Sequence, residues 1–245
     1  MPKSKLFAIA DLHLSFAKPK PMDVFGQHWK EHPEKIEASW RRKVSPNDIV
    51  LVAGDISWAS KIGEARSDLD WLEALPGRKV IVKGNHDYWF PKSRRKRSKF
   101  LGDSIHSIYR NSVFIDGLVF IGSKGVSFDP EEKKEEDSWQ KYKERELAHL
   151  RASLKTLGAI NEEIEARIAL LHYPPTAPGE SRSEFTDFLE SAEIDLCVYG
   201  HLHSSEDFET ALQGLHRGIH YRLSSADSLS FELLELTHLL ASSDK

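Results

Sequence analysis

"RKVIVKGNHDYW", residues 78–89, passes from an apolar run straight into a glycine, an asparagine, a histidine and an aspartate. Runs of four to six residues rich in Val, Ile and Leu read as buried strands. A strand that finishes on Asn85, His86 and Asp87 delivers side chains that bind metals, hydrogen-bond anions and move protons. The same punctuation recurs along the chain. "KLFAIA" runs into Asp11-Leu12-His13, "DIVLVA" into Gly54-Asp55, "RIALL" into His172, and "DLCVY" into Gly200-His201-Leu202-His203. Ligand-type residues at the carboxyl ends of five strands share one edge of a sheet, where loops leave a rigid base and α/β proteins put their sites.

Helical patterns separate the strands. Ile62, Ala65, Leu69, Leu72 and Leu75 recur at three- and four-residue spacing, as do Tyr142, Glu146, Leu147, Leu150, Leu154 and Leu157. "VFIDGLVFIG" reads as a hairpin turning on Asp116-Gly117, which supply positive φ angles. "IHYRLSSADSLSFELLEL" reads as two further strands. The expected fold is α/β: two mixed β-sheets packed face to face, with helices on the outer faces. No repeat, low-complexity tract or linker divides the chain, so residues 1–245 are read as a single domain.

Composition sets outer bounds. At 40 % hydrophobic and 29 % charged residues the chain suits a soluble globular protein. A net charge of −4 gives no general case for nucleic-acid or membrane binding. The N-terminal apolar run is too short for a signal peptide, and no apolar stretch is long enough to span a bilayer. Cys197, the only cysteine, excludes an intrachain disulfide and reads as a small buried residue, which fits a reducing cytoplasm. Two charge runs stand out, the basic "KSRRKRSK" at 92–99 and the mixed 131–137. Both suit solvated faces, and Arg94, Arg95 and Arg97 also suit a second phosphate.

Five of the twelve histidines fall in the strand-end clusters. Imidazoles with a few carboxylates suit Mn, Fe, Zn or Co better than Ca or Mg, and the ligands are too many for one tetrahedral ion and about enough for two. The motifs carry unequal weight. Gly-Asn-His-Asp arises by chance in roughly one chain in a thousand of this length, whereas Asp-x-His arises in about one in three or four.

In order, Asp-x-His, Gly-Asp, Gly-Asn-His-Asp, a lone His and Gly-His-x-His resemble the calcineurin-like metallophosphoesterase superfamily across residues 11–203. The resemblance implies a four-layer αββα sandwich and a site holding two divalent transition metals, with Mn, Fe or Zn favoured over Ni or Co. It implies that Asp11, His13 and His203 bind the first ion, that Asn85, His172 and His201 bind the second, and that Asp55 bridges them. It implies that His86 contacts the phosphoryl and leaving-group oxygens, oriented by Asp87, while a hydroxide bridging the metals attacks in line. Charge accounting agrees: two anions among these ligands leave two divalent ions with a positive surplus, which a phosphate ester fills. "KPMDVFG", "GDISWA", "KGNHDYW" and "YRLSSAD" further resemble a group of bacterial predicted phosphohydrolases.

The leading expectation is a metal-dependent phosphoesterase acting on a phosphorylated small molecule, a diester or a monoester. Three alternatives use the same fold. A lipid A pathway pyrophosphatase of the UDP-diacylglucosamine type often carries arginine where this chain has His86. A nuclease would track a strand along 92–99 but usually needs extra DNA-contacting regions. A non-catalytic scaffold like the retromer subunit typically loses ligands that are all present here. Trp58, Tyr88 and Trp89 read either as a substrate platform or as packing beneath the metal loops. His216, Arg217 and His220 follow the last motif and are weaker substrate candidates. Residues 16–45 and 124–160 are the segments expected to shape a pocket.

Overall fold

In the computed structural model, which describes residues 4–129, 135–159 and 162–240, the apolar runs form the strands expected of them. β1 (Leu6–Ile9), β2 (Ile49–Val52), β3 (Arg78–Ile81) and β4 (Ile105–Ser107) lie parallel, and β11 (Leu234–Glu235) pairs antiparallel with β1. A second sheet contains β5 (Val113–Ile115), β6 (Leu118–Ser123), β7 (Ala166–Leu171), β8 (Leu196–Tyr199), β9 (Gly214–His216) and β10 (Ile219–Leu223). Its order is β5-β6-β7-β8-β10-β9, parallel in the middle with an antiparallel strand at each edge. The hairpin turns at Asp116 and Gly117 with φ of 50° and 81°, as the Asp-Gly pair predicts.

The two sheets pack face to face. Leu6, Ala8, Ile49, Leu51 and Val80 of one meet Phe120, Ile168, Leu170, Leu196 and Val198 of the other. The intervening residues face outward, where helices cover them. Phe7, Ile9, Val50 and Val52 pack under α1 (His32–Lys43) and α2 (Arg66–Ala74). Val119, Ile121, Ala169, Leu171 and Cys197 pack under α4 (Glu136–Lys155) and α5 (Glu184–Ser191). Burial on both faces removes the polar alternation of a surface sheet, which is why these strands read as unbroken apolar runs. No helix among the described residues is long and apolar enough to cross a membrane.

Four expectations change. The five motif-bearing strands belong to two sheets: β1, β2 and β3 lie in one, and β7 and β8 in the other. α2 begins at Arg66, because Ile62 and Gly63 sit in a turn that precedes it. Tyr142 is 52 % exposed, so the buried stripe of α4 runs through Leu147 and Leu150 instead. The basic run forms a short helix, α3 (Arg94–Phe100), with Arg97 buried against the carbonyls of Pro91 and Lys92 and therefore closed to substrate. Residues 131–134 of the mixed-charge run lie outside the described residues.

Candidate metal centre

The loops leaving β1 and β2 are joined by backbone hydrogen bonds. The amides of Asp11, His13 and Leu14 donate to the carbonyls of Gly54, Asp55 and Ile56 at 3.0 Å each. Four of the motif residues, Asp11, His13, Asp55 and His201, have φ of 58°, 45°, 50° and 75°, in the left-handed region that non-glycine residues seldom occupy. Such strain persists only where the surroundings hold it, and it collects at functional sites. The loops also approach each other closely. A Cβ on Gly84 would lie 2.0 Å from Asp55 Oδ1, and one on Gly200 would lie 2.5 Å from Asp11 Oδ2, so the glycine preceding each motif lets a carboxylate reach the edge.

Asp11, His13 and His203 bring ligand atoms within 4.8 Å of one another, and so do Asp11, Asp55 and His172. Asp11 belongs to both groups. His172 Nδ1 lies 3.1 Å from the Ala53 carbonyl, which fixes the proton there and turns the Nε2 lone pair to the site. That Nε2 is 2.5 Å from Asn85 Oδ1 and 3.6 Å from Asp55 Oδ2. The His201 amide donates to Asp11 Oδ2 at 2.9 Å, and its ring centroid is 5.1 Å from that of His172, although its nitrogens fall outside both groups. Asp11 Oδ1 and His13 Nδ1 are buried with no hydrogen-bond partner. An unpartnered buried acceptor among imidazoles has the chemistry of a cation site, and these donors fit a transition metal.

His86 and Asp87 separate in role. The His86 amide donates to Asp55 Oδ1 at 2.8 Å, its Nε2 lies 3.9 Å from Asp55 Oδ2, and its side chain is 34 % exposed at the rim. The family resemblance implies that Asp87 orients His86. Instead its fully buried carboxylate accepts from the amides of Ile56, Ser57 and Gly84 at 3.0, 3.0 and 2.8 Å and from the Trp89 indole at 2.9 Å. Those four donors occupy it, so Asp87 holds the β2 and β3 loops together, and among the described residues its recorded partners do not include the His86 ring.

The model of the calcineurin-like phosphoesterase family matches residues 4–205. The chain belongs to that family. A calcineurin-like phosphoesterase is metal-dependent, in keeping with the donors just described. The Gene 66 proteins of Mycobacterium phages L5 and D29 are 31 % identical over 91 residues and 35 % identical over 95 residues. Each match covers 37 % of this chain and 44 % of the phage protein, so the chain spans less than half the length of these relatives. A phosphopantetheinyl hydrolase from Mycobacterium tuberculosis superposes with a TM-score of 0.52 at 17 % identity over 96 % of each chain, a likeness of fold alone.

The electrostatics of this calcineurin-like phosphoesterase favour a cation. Burial holds Asp11 up to about 7 against the pull of His203, and burial also raises Asp55. Burial presses His172 down to about 3 and His201 to about 2, leaving neutral imidazoles able to ligate. Burial opposes a charge on His203 as well. There it is outweighed by Asp227, whose two oxygens lie 3.1 Å from Nδ1, and by Asp11, so His203 rises to about 9. A metal would displace that proton at Nε2 while Asp227 keeps hold of Nδ1.

Asp227 did not stand out in the sequence, though it ends the quoted "YRLSSAD". The segment 16–45 does shape a pocket: Met22, Phe25 and Trp29 join Trp58 and His86 around a cavity of about 370 Å³ at the metal edge. Trp58 stacks on His13 with centroids 4.8 Å apart and lies 4.2 Å from the His86 ring, whereas Trp89 is buried beneath the loops. Tyr88 faces outward and is 67 % exposed. Arg217 pairs with Asp187 at 2.8 Å and with Glu190 on α5, and His216 bonds the Gln213 carbonyl, so neither joins the site.

Proposed function

We propose that the protein hydrolyses a phosphodiester, with Asp11, His13 and His203 holding one divalent ion, Asn85, His172 and His201 a second, and Asp55 shared between them. The observation that carries this reading is Asp55 Oδ2 standing 4.0 Å from His13 Nε2 of one donor set and 3.6 Å from His172 Nε2 of the other, at an edge whose donor groups supply only two carboxylates. Loaded with two divalent ions, such a site keeps a positive surplus that a phosphoryl group neutralises. Bound there, the ions would supply Lewis acidity and an activated water. The chain's own residues do the rest. Asp55 is fixed by the His86 amide, so its two oxygens keep one orientation. His86 stands at the rim with Nε2 toward the edge and passes a proton to the departing oxygen. Asp87 acts as a positioning residue that locks Gly84 and the β2 loop. The aromatic mouth beside His86 offers an apolar surface for an organic group of the ester. The lone buried Cys197 suits a cytoplasmic setting.

The test is hydrolysis of bis-p-nitrophenyl phosphate and p-nitrophenyl phosphate by chelator-stripped protein refilled with Mn²⁺. The diester is expected to turn over faster, and Asp55→Asn to abolish turnover. His86→Ala is expected to keep its metal and to lose roughly 10²–10⁴-fold in kcat. Faster turnover of the monoester would make the protein a phosphatase, and absence of bound metal would overturn the reading.

A further inference from the structure

On the Asn85 side of the metal edge, a second cleft of about 290 Å³ opens between the two sheets' loops. Five basic side chains and one carboxylate, Glu146, line it. Glu146 is already engaged: Arg145 donates to its Oε1 at 3.2 and 3.3 Å, and His149 Nδ1 lies 3.3 Å from its Oε2. Lys92 and Arg110 stand exposed at the rim. Lys83 and Lys124 are different. Each follows a strand, β3 or β6, and each is half-buried in the wall of the same cleft.

Among the described residues no carboxylate lies within ion-pair reach of either ammonium. The Lys124 ammonium stands over the face of Tyr173, 4.9 Å from the ring centroid. Two like charges drawn out of water toward one cavity cost folding energy that an anion between them returns. Asn85 lines this cleft and its Oδ1 lies 2.5 Å from His172 Nε2, so the cleft is continuous with the metal edge. Its volume suits one phosphate and a sugar-sized group rather than a nucleic-acid duplex.

We propose that this cleft binds a second phosphate of the substrate through Lys83 and Lys124, making the preferred substrate a small phosphodiester that carries a phosphate monoester besides the scissile group. This rests on the phosphodiesterase reading for the reaction itself, but the anion site stands or falls separately.

The first measurement uses metal-free protein. Inorganic phosphate is titrated calorimetrically into the wild type and into a Lys83→Gln/Lys124→Gln double variant. Loss of two charge-assisted contacts is expected to weaken binding about tenfold or more; equal affinity overturns the site. The second needs no variant. In Mn²⁺-loaded wild type, thymidine 5′-(p-nitrophenyl phosphate) is compared with the same ester bearing a 3′-phosphate. The bisphosphate is expected to show at least about a tenfold higher kcat/KM, carried by KM. Hydrolysis of both at one rate overturns the proposal while leaving the phosphodiesterase intact. Hydrolysis of neither, with phosphate binding still lost in the double variant, supports the anion site and overturns the reaction.

Discussion

His203 lies between two carboxylates, Asp227 at 3.1 Å from Nδ1 and Asp11 at 3.8 Å from Nε2, so one holds the ring while the other shares its prospective metal. An outer carboxylate of this kind fixes the tautomer and raises the ligand's basicity. Asp227→Asn should therefore weaken metal binding about 10–100-fold without removing a ligand, measured by titrating Mn²⁺ into chelator-stripped protein. Sequence alone does not single out Asp227, because it lies 24 residues beyond His203 and ends no strand that carries a ligand. The proposed ligands themselves are legible because each motif follows an apolar run, and three of the seven, Asp55, Asn85 and His201, directly follow a glycine. What Asp87 bonds is not legible: Gly-Asn-His-Asp suggests a neighbour for His86, whereas the carboxylate turns inward to the amides of another loop.

At the scale of single elements, β3 carries two tests. The position of Gly84 beyond its end is dictated by Asp55, whose Oδ1 and amide nitrogen would lie 2.0 and 2.2 Å from an added Cβ. Since one of those atoms is backbone, the loop must move. Gly84→Ala should cost about 1–3 kcal/mol in urea unfolding and lower the bound metal. Lys79 is fully buried in β3, donating to the Leu75 carbonyl and to Ser104 Oγ at 2.9 Å, and burial presses its ammonium down to about 8. Below that pH both folded and unfolded chains are protonated, and the folded one bears the cost of a buried charge. Between about 8 and the ordinary 10.5 the unfolded chain keeps a proton that the folded chain has shed, so stability rises with pH. The rise, on the order of 2 kcal/mol, should vanish in Lys79→Met across a series of urea unfolding curves from pH 7.5 to 10.5. Periodicity alone places α2 and α4 well but not their ends, since Gly63 breaks the first turn before Arg66 and Leu157 falls just past Lys155.

For the molecule as a whole, the metal edge is a stability problem that metal relieves. Buried Asp11 and Asp55 are held above the usual carboxylate range, and a bound cation reverses that penalty. Free metal at about 100 times its Kd should add roughly 2.7 kcal/mol and raise Tm by about 5–10 °C, an increment that EDTA abolishes. In EDTA, Asp55→Asn should melt no lower than the wild type, while gaining nothing from Mn²⁺; differential scanning calorimetry reads both. The two-sheet architecture is legible from strands buried on both faces and from Asp116-Gly117, because burial and turn chemistry are local properties. The division of the motifs between sheets is not, since parallel strands of either sheet have the same apolar signature.

That division bears on how such proteins can change over generations. Asp11, His13, Asp55 and Asn85 come from the first sheet's strand ends, and His172, His201 and His203 from the second's. A genetic crossover between Asp87 and His172 would join four donors from one parent to three from the other. Hybrids would work only where both parents hold their sheets at the same spacing and where the second parent's β11 still pairs with the first parent's β1.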